Sequence, residues 1–113
     1  VHANGSLTLG ENIADHGGLQ VSFQAFKNAT EAAPLEIVDG FTPEQRFFLS
    51  YANVWADNTR DEQIRLQTKS DPHSLGRWRV NAALPHISMW YDAFGVKEGD
   101  ALYLPVEKRA SIW

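Results

Sequence analysis

Three observations predict a mainly α-helical domain. Apolar residues recur at helical spacing through Leu9, Ile13, Leu19, Val21, Phe23 and Phe26. A full helix-start signal, Thr42-Pro43-Glu44-Gln45, precedes the aromatic face Phe47, Phe48, Tyr51, Ala52 and Trp55. Strand character is confined to Leu102-Tyr103-Leu104, which reads as a short strand or an extended tail.

In chain order, residues 1–10 read as an extended entry, with Asn4-Gly5 as a turn signal. A helix is expected from about residue 8 to 30. Gly17-Gly18 weakens it by roughly 1 kcal/mol per glycine relative to alanine. The pair makes sense if another backbone packs closely there, and otherwise as a simple helix break. Ala32-Ala33-Pro34 opens a loop that runs through Asp39-Gly40. Thr42 then caps a second helix, with Pro43 at its first position and Gln45 completing a capping box, ending near Asp57-Asn58. A polar surface helix spans Asp61 to about Lys69. Asp71-Pro72 stops it, because the residue before proline avoids helical geometry. A loop runs through Gly76, and Trp78 to Leu84 forms a helical turn or two. Pro85 starts a further helix through Met89, Trp90, Tyr91 and Phe94, which Gly95 stops. Lys97-Glu98-Gly99-Asp100 is a turn, and the terminal Trp113 is expected to dock against the body.

The length of 113 residues suits one small domain or a piece of a larger one. Val1 is not an initiator methionine, so the numbering is expected to begin inside a processed or truncated chain. The net charge is −4, without a basic run or basic-aromatic stripe, which argues against nucleic acid as a partner. No apolar stretch approaches the roughly 20 residues of a membrane span. Cysteine is absent, which excludes disulfides and thiolate metal sites and leaves four histidines and fourteen acids as donors.

The most informative stretch is Gly10-Glu11-Asn12-Ile13-Ala14-Asp15-His16-Gly17-Gly18. Glu11 and Asp15 stand four apart, on one face of a helix. One can hold a metal while the other fixes a neighbouring ligand. Spacing alone favours the plainer reading of two solvated acids near a helix N-terminus, where the dipole suits them; the full nine-residue string with its glycines reverses that. A second stretch, Asp71-Pro72-His73-Ser74-Leu75-Gly76-Arg77-Trp78-Arg79, brings an imidazole and a guanidinium together, which by themselves read as surface polarity.

The first stretch resembles the G-E-N-I-A-D-x-G-G string of the neprilysin/endothelin-converting-enzyme family of zinc metallopeptidases. The second resembles that family's D-x-H-S/A-P-G-x-x-R segment, with Leu75 where proline is usual. Phe94-Gly95-Val96-Lys97-Glu98-Gly99-Asp100, Leu102-Tyr103 and Ile112-Trp113 resemble the C-terminal end of bacterial members of the oligopeptidase O type. Together these span Gly10 to Trp113. The resemblance implies the helical C-terminal half of a thermolysin-like (gluzincin) catalytic domain and peptide substrates. It implies that Glu11 is the third ligand of Zn2+ and that Asp15 orients a zinc-binding histidine. His73 would stabilise the oxyanion of the tetrahedral intermediate, and Arg79 would bind a substrate carbonyl or carboxylate. It points to an extracytoplasmic bacterial enzyme, periplasmic or cell-surface, although cytoplasmic bacterial relatives exist. His2, His16 and His86 form no ligand pair and are assigned surface or packing roles. The position of His16 is asparagine in much of the family.

H-E-x-x-H is absent. That motif carries two zinc ligands and the general base of the gluzincin arrangement. The chain is therefore expected to be the C-terminal segment of a larger zinc endopeptidase, inactive alone and unable to hold zinc tightly. Its partner would be the N-terminal half of the catalytic domain. Apart from that half, it is expected to expose apolar surface, to self-associate, and to be partly disordered near residues 1–10 and 70–80. The alternatives are a stand-alone helical interaction module that has lost catalysis, and a two-chain enzyme whose other polypeptide supplies H-E-x-x-H.

Overall fold

The computed structural model describes residues 2–112. It is helical: α1 (Gly5–Glu31), α2 (Pro43–Val54), α3 (Asp61–Ser70), α4 (Gly76–Asn81) and α5 (Ser88–Phe94). Two 3₁₀ turns, Leu84–His86 and Val106–Lys108, complete it. Among the described residues the only β pairing is an isolated antiparallel bridge between Val38 and Phe41, closed by Asp39 and Gly40 at positive φ.

The mainly α reading holds, and several boundaries are corrected. The helix α1 begins at Gly5, not near residue 8, because Asn4 acts as its cap. Its side-chain oxygen accepts the Leu7 N–H at 3.3 Å. The Gly17-Gly18 pair does not break α1. Gly17 is buried, and a Cβ added at Gly18 would meet nothing within 4 Å, so among the described residues no backbone packs closely against Gly18. The capping box of Thr42 and Gln45 is present, with both reciprocal bonds made at 3.0 and 3.1 Å. However, α2 ends at Val54, where the Trp55 N–H turns back to the Ala52 carbonyl and the Ala56 N–H to that of Asn53, both at 3.2 Å. Pro85 sits in a 3₁₀ turn and does not open the next helix. Ile87, extended and fully buried, intervenes before Ser88. Gly95 stops α5 in the left-handed conformation, at φ 64°. Leu102–Leu104 forms no strand. The Leu104 N–H donates to the Tyr91 hydroxyl instead, at 3.0 Å.

Leu19 and Phe23 of α1, Phe48 of α2, Leu84 and Ile87, and Trp90 and Tyr91 of α5 form the buried core. Phe23 stacks on Phe48 with centroids 5.3 Å apart, and Phe47 meets both rings edge-on. The C-terminal segment is tied down by Tyr91 and His86. Arg109 lies over the Tyr91 ring at 3.6 Å, and the Ala110 N–H donates to His86 Nδ1 at 2.9 Å. Trp113, whose docking the sequence suggests, lies outside the described residues. Leu9, Val21 and Val54 remain more than half exposed, as an apolar surface seeking cover would be.

Phe48 is 1% exposed at the centre of the aromatic cluster. Phe48→Ala is expected to cost about 3–5 kcal/mol of stability, read as a lower urea midpoint at unchanged slope.

Candidate functional site

The segment 71–79 lies against the N-terminal half of α1, and this contact gathers the residues singled out in the sequence. The Asp71 carboxylate accepts the backbone N–H of His73 at 2.8 Å and meets His73 Nδ1 at 2.7 Å. This is an Asx turn. The His73 amide and then its ring hold the Asp71 carboxyl below its ordinary range. An ionised carboxylate only accepts, so Nδ1 must carry the hydrogen. The other ring nitrogen, Nε2, faces Glu11 Oε2 at 3.4 Å. Both side chains are close to half exposed, so the Glu11–His73 edge is open to solvent.

One turn further along α1, Asp15 is engaged by Arg79. Nε and Nη2 of the guanidinium each donate to one carboxylate oxygen, both at 2.6 Å. This is the bidentate fork that arginine offers and lysine cannot. The pair is mostly buried, with side-chain exposures of 13% and 15%. The Asp15 hydrogen bonds raise the Arg79 pKa above its already high ordinary value. Beneath it lies the Trp55 ring, 3.7 Å from the guanidinium carbon. The Tyr51 hydroxyl donates to the Arg79 carbonyl at 2.9 Å. Burial first, then the Asp15 carboxylate, push that phenol up to about 12, so it stays a donor.

Asp15 and Arg79 thus meet as one pair, and Glu11 and His73 as another, although each pair spans more than 60 residues of sequence. The supporting roles of Asp71, Tyr51 and Trp55 escape a sequence reading. For Asp71 a signal existed, since Asp two residues before His is Asx-turn spacing. For Tyr51 and Trp55 the helical spacing signalled burial only. Gly76 has a specific reason. A Cβ there would come within 2.6 Å of the Trp55 carbonyl oxygen, so the α4 start can press against α2 only as glycine.

His16 is buried at 4% exposure, and its ring is 5.7 Å from that of His86. Both line a cavity of about 260 Å³ together with Asp15, Arg79, Ile13 and Trp78. Burial, and secondarily His86, lower the His16 pKa. His2 is exposed. A catalytic zinc takes three protein ligands. Among the described residues no three His, Asp or Glu side chains are grouped to hold a metal. These residues alone therefore do not fit a complete zinc centre.

Residues 1–110 match the family model described as Peptidase family M13. The chain belongs to this peptidase family. An endothelin-converting enzyme homolog from Locusta migratoria is 38% identical over 99% of the chain. Human neprilysin is 35% identical over 99% of it. The chain spans 16% and 15% of those two proteins. Among solved structures, it is similar to the Mycobacterium tuberculosis zinc metalloprotease Zmp1 in its open state and in complex with an inhibitor. Each superposes with a TM-score of 0.94 at 36% identity, over 99% of this chain and 17% of the M13 relative. No described helix is long and apolar enough to cross a membrane.

Gly76→Ala forces backbone apart at the α2–α4 contact and should destabilise the chain by about 1–3 kcal/mol in urea titration. A His16 pKa lowered by folding contributes stability that is full above about 6.5, the unfolded value, and is lost as pH falls toward the depressed folded one. His16→Asn should therefore flatten the loss of stability between pH 7.5 and 5.5, measured by urea midpoints.

Proposed function

We propose that the intact protein containing this segment is an extracytoplasmic zinc metalloendopeptidase acting on peptide substrates. In this reading residues 1–113 are the C-terminal part of its catalytic domain. The observation that carries the proposal is the apposition of Glu11 and His73 at 3.4 Å, with the Asp15–Arg79 pair one turn along the same helix. It is supported by the names of the relatives and by a family match over nearly the whole chain.

Glu11 offers one carboxylate to a zinc centre whose two histidines would come from an H-E-x-x-H helix elsewhere in the polypeptide. Zinc bound there supplies Lewis-acid activation of water. The tasks of this chain's own residues derive from their partners. Asp71 holds His73 by Nδ1–H, so Nε2 is the corner presented to the cleft. When the imidazolium forms, Nε2–H can donate to negative charge developing on a substrate oxygen, a contribution of roughly 3–4 kcal/mol for a well-placed donor. Arg79 has five N–H donors, of which Asp15 takes two. The remainder can hold a peptide carbonyl or carboxylate. Asp15 keeps that guanidinium in place and has an orienting role toward a zinc-binding histidine. The chain by itself has neither the general base nor a complete ligand set and is inactive. Its exposed Leu9, Ile13, Val21 and Val54 suit cover by the rest of the catalytic domain, and self-association when that cover is missing.

The test uses the intact polypeptide, with zinc content and peptide hydrolysis as readouts. Glu11→Gln should lose both zinc and activity. His73→Ala should retain zinc while kcat falls about 10²–10³-fold. Retention of zinc and activity by Glu11→Gln would overturn the proposal, as would zinc-dependent hydrolysis by the isolated chain.

A further inference from the structure

The Glu11–His73 contact, a single 3.4 Å approach between half-exposed side chains, does not by itself hold the segment that bears the imidazole on α1. Asp71 holds the ring but belongs to the same short segment, so it does not tie that segment to α1. The tie lies one residue further along each side of the contact. Ser74, next to His73, donates its hydroxyl to the side-chain oxygen of Asn12, next to Glu11, at 2.8 Å.

The direction of this bond is set from behind. Thr8, 8% exposed, donates its hydroxyl hydrogen to the Asn4 carbonyl at 3.2 Å. With its single hydrogen so used, Thr8 Oγ1 can only accept, and it accepts the Asn12 side-chain N–H at 3.4 Å. The Asn12 amide is thereby turned with nitrogen toward Thr8 and oxygen toward Ser74. A relay of three side-chain bonds, each oriented by the one before, runs from the α1 cap to the segment bearing His73.

We propose that Asn12 and Ser74 are positioning residues for the reaction, holding His73 in register with Glu11 across the substrate cleft. The proposal rests on the metallopeptidase reading of that site. Neither residue touches substrate or metal. Each acts through its neighbour by keeping the segment 71–76 at a fixed height on α1. Displacement of a catalytic group by about 1 Å can cost up to 10²-fold in rate. The loss falls on kcat, because His73 would act on charge that develops only in the transition state.

The experiment is made on the intact polypeptide with Asn12→Ala, Ser74→Ala and Ser74→Thr. Peptide hydrolysis is measured alongside zinc content, melting temperature and hydrogen exchange of segment 71–76 by mass spectrometry. The two alanine variants should each lower kcat about 10-fold with KM within about twofold. Zinc content should be unchanged and exchange in 71–76 faster. Ser74→Thr, which keeps the hydroxyl, should restore both kcat and slow exchange. Unchanged kcat and exchange in both alanine variants would overturn the proposal. So would a loss of kcat that merely tracks loss of zinc or global unfolding. An intact wild-type protein without peptidase activity would instead defeat the metallopeptidase reading. The exchange rates of the three variants would then decide whether the tether exists.

Discussion

The contact on which the site depends is the paired hydrogen bonding of Arg79 to Asp15. A planar fork meets a planar carboxylate, an indole lies under the fork, and the pair is mostly withdrawn from water. In such a setting loss of either partner strands a charge, at a cost of roughly 3–5 kcal/mol. The pair thus behaves as a clamp between α1 and α4, with α2 supplying its floor through Trp55 and a second fastening through Tyr51. Because Gly76 opens α4 against the Trp55 carbonyl, the clamp also fixes where the preceding loop must run. That loop carries His73. Its closeness to Glu11 is a consequence of the clamp and of the Ser74–Asn12 bond, not of any strong attraction between the two side chains.

The long helix α1 does two jobs along its length. From Leu19 onward it is a core element, sending Leu19 and Phe23 into the aromatic cluster with Phe48 and Trp90. Before that it carries polar and acidic groups that face the 71–79 segment. The open space beside Gly18 lies at the join, next to Asp15, Tyr51 and Val54. A glycine there leaves room for a neighbour that the described residues do not provide, which accords with the exposure of Val54 beside it.

Features with local causes were legible in the sequence. The Thr42–Gln45 capping box, the stop at Asp71-Pro72 and the left-handed Gly95 each depend on residues within one helical turn. Asn4 is ambiguous, because Asn-Gly signals a turn and asparagine is also a good helix cap; the bond it makes to the Leu7 N–H decides for the cap. The partners of Asp15 and Arg79 were not legible, being 64 residues apart. Nor was the requirement for glycine at Gly76, which arises only when α2 and α4 meet. Glu11, Asp15, His73 and Arg79 could be named from motifs, but their pairing is a property of the packing.

Charge sets a further limit on what this surface can do. Glu11, Asp15 and Asp71 face two basic groups, Arg79 and His73. Arg79 is committed to Asp15, so these two cancel. His73 lies between the remaining two carboxylates, and even as an imidazolium it neutralises only one of them. This exposed edge is left with an excess of negative charge centred near Glu11, the carboxylate without a short hydrogen bond of its own. Glu11 keeps its carboxylate lone pairs free of short hydrogen bonds, whereas each Asp15 oxygen already accepts one from Arg79. On this helix face the Asp15–Arg79 clamp thus leaves Glu11 as the more open of the two acids.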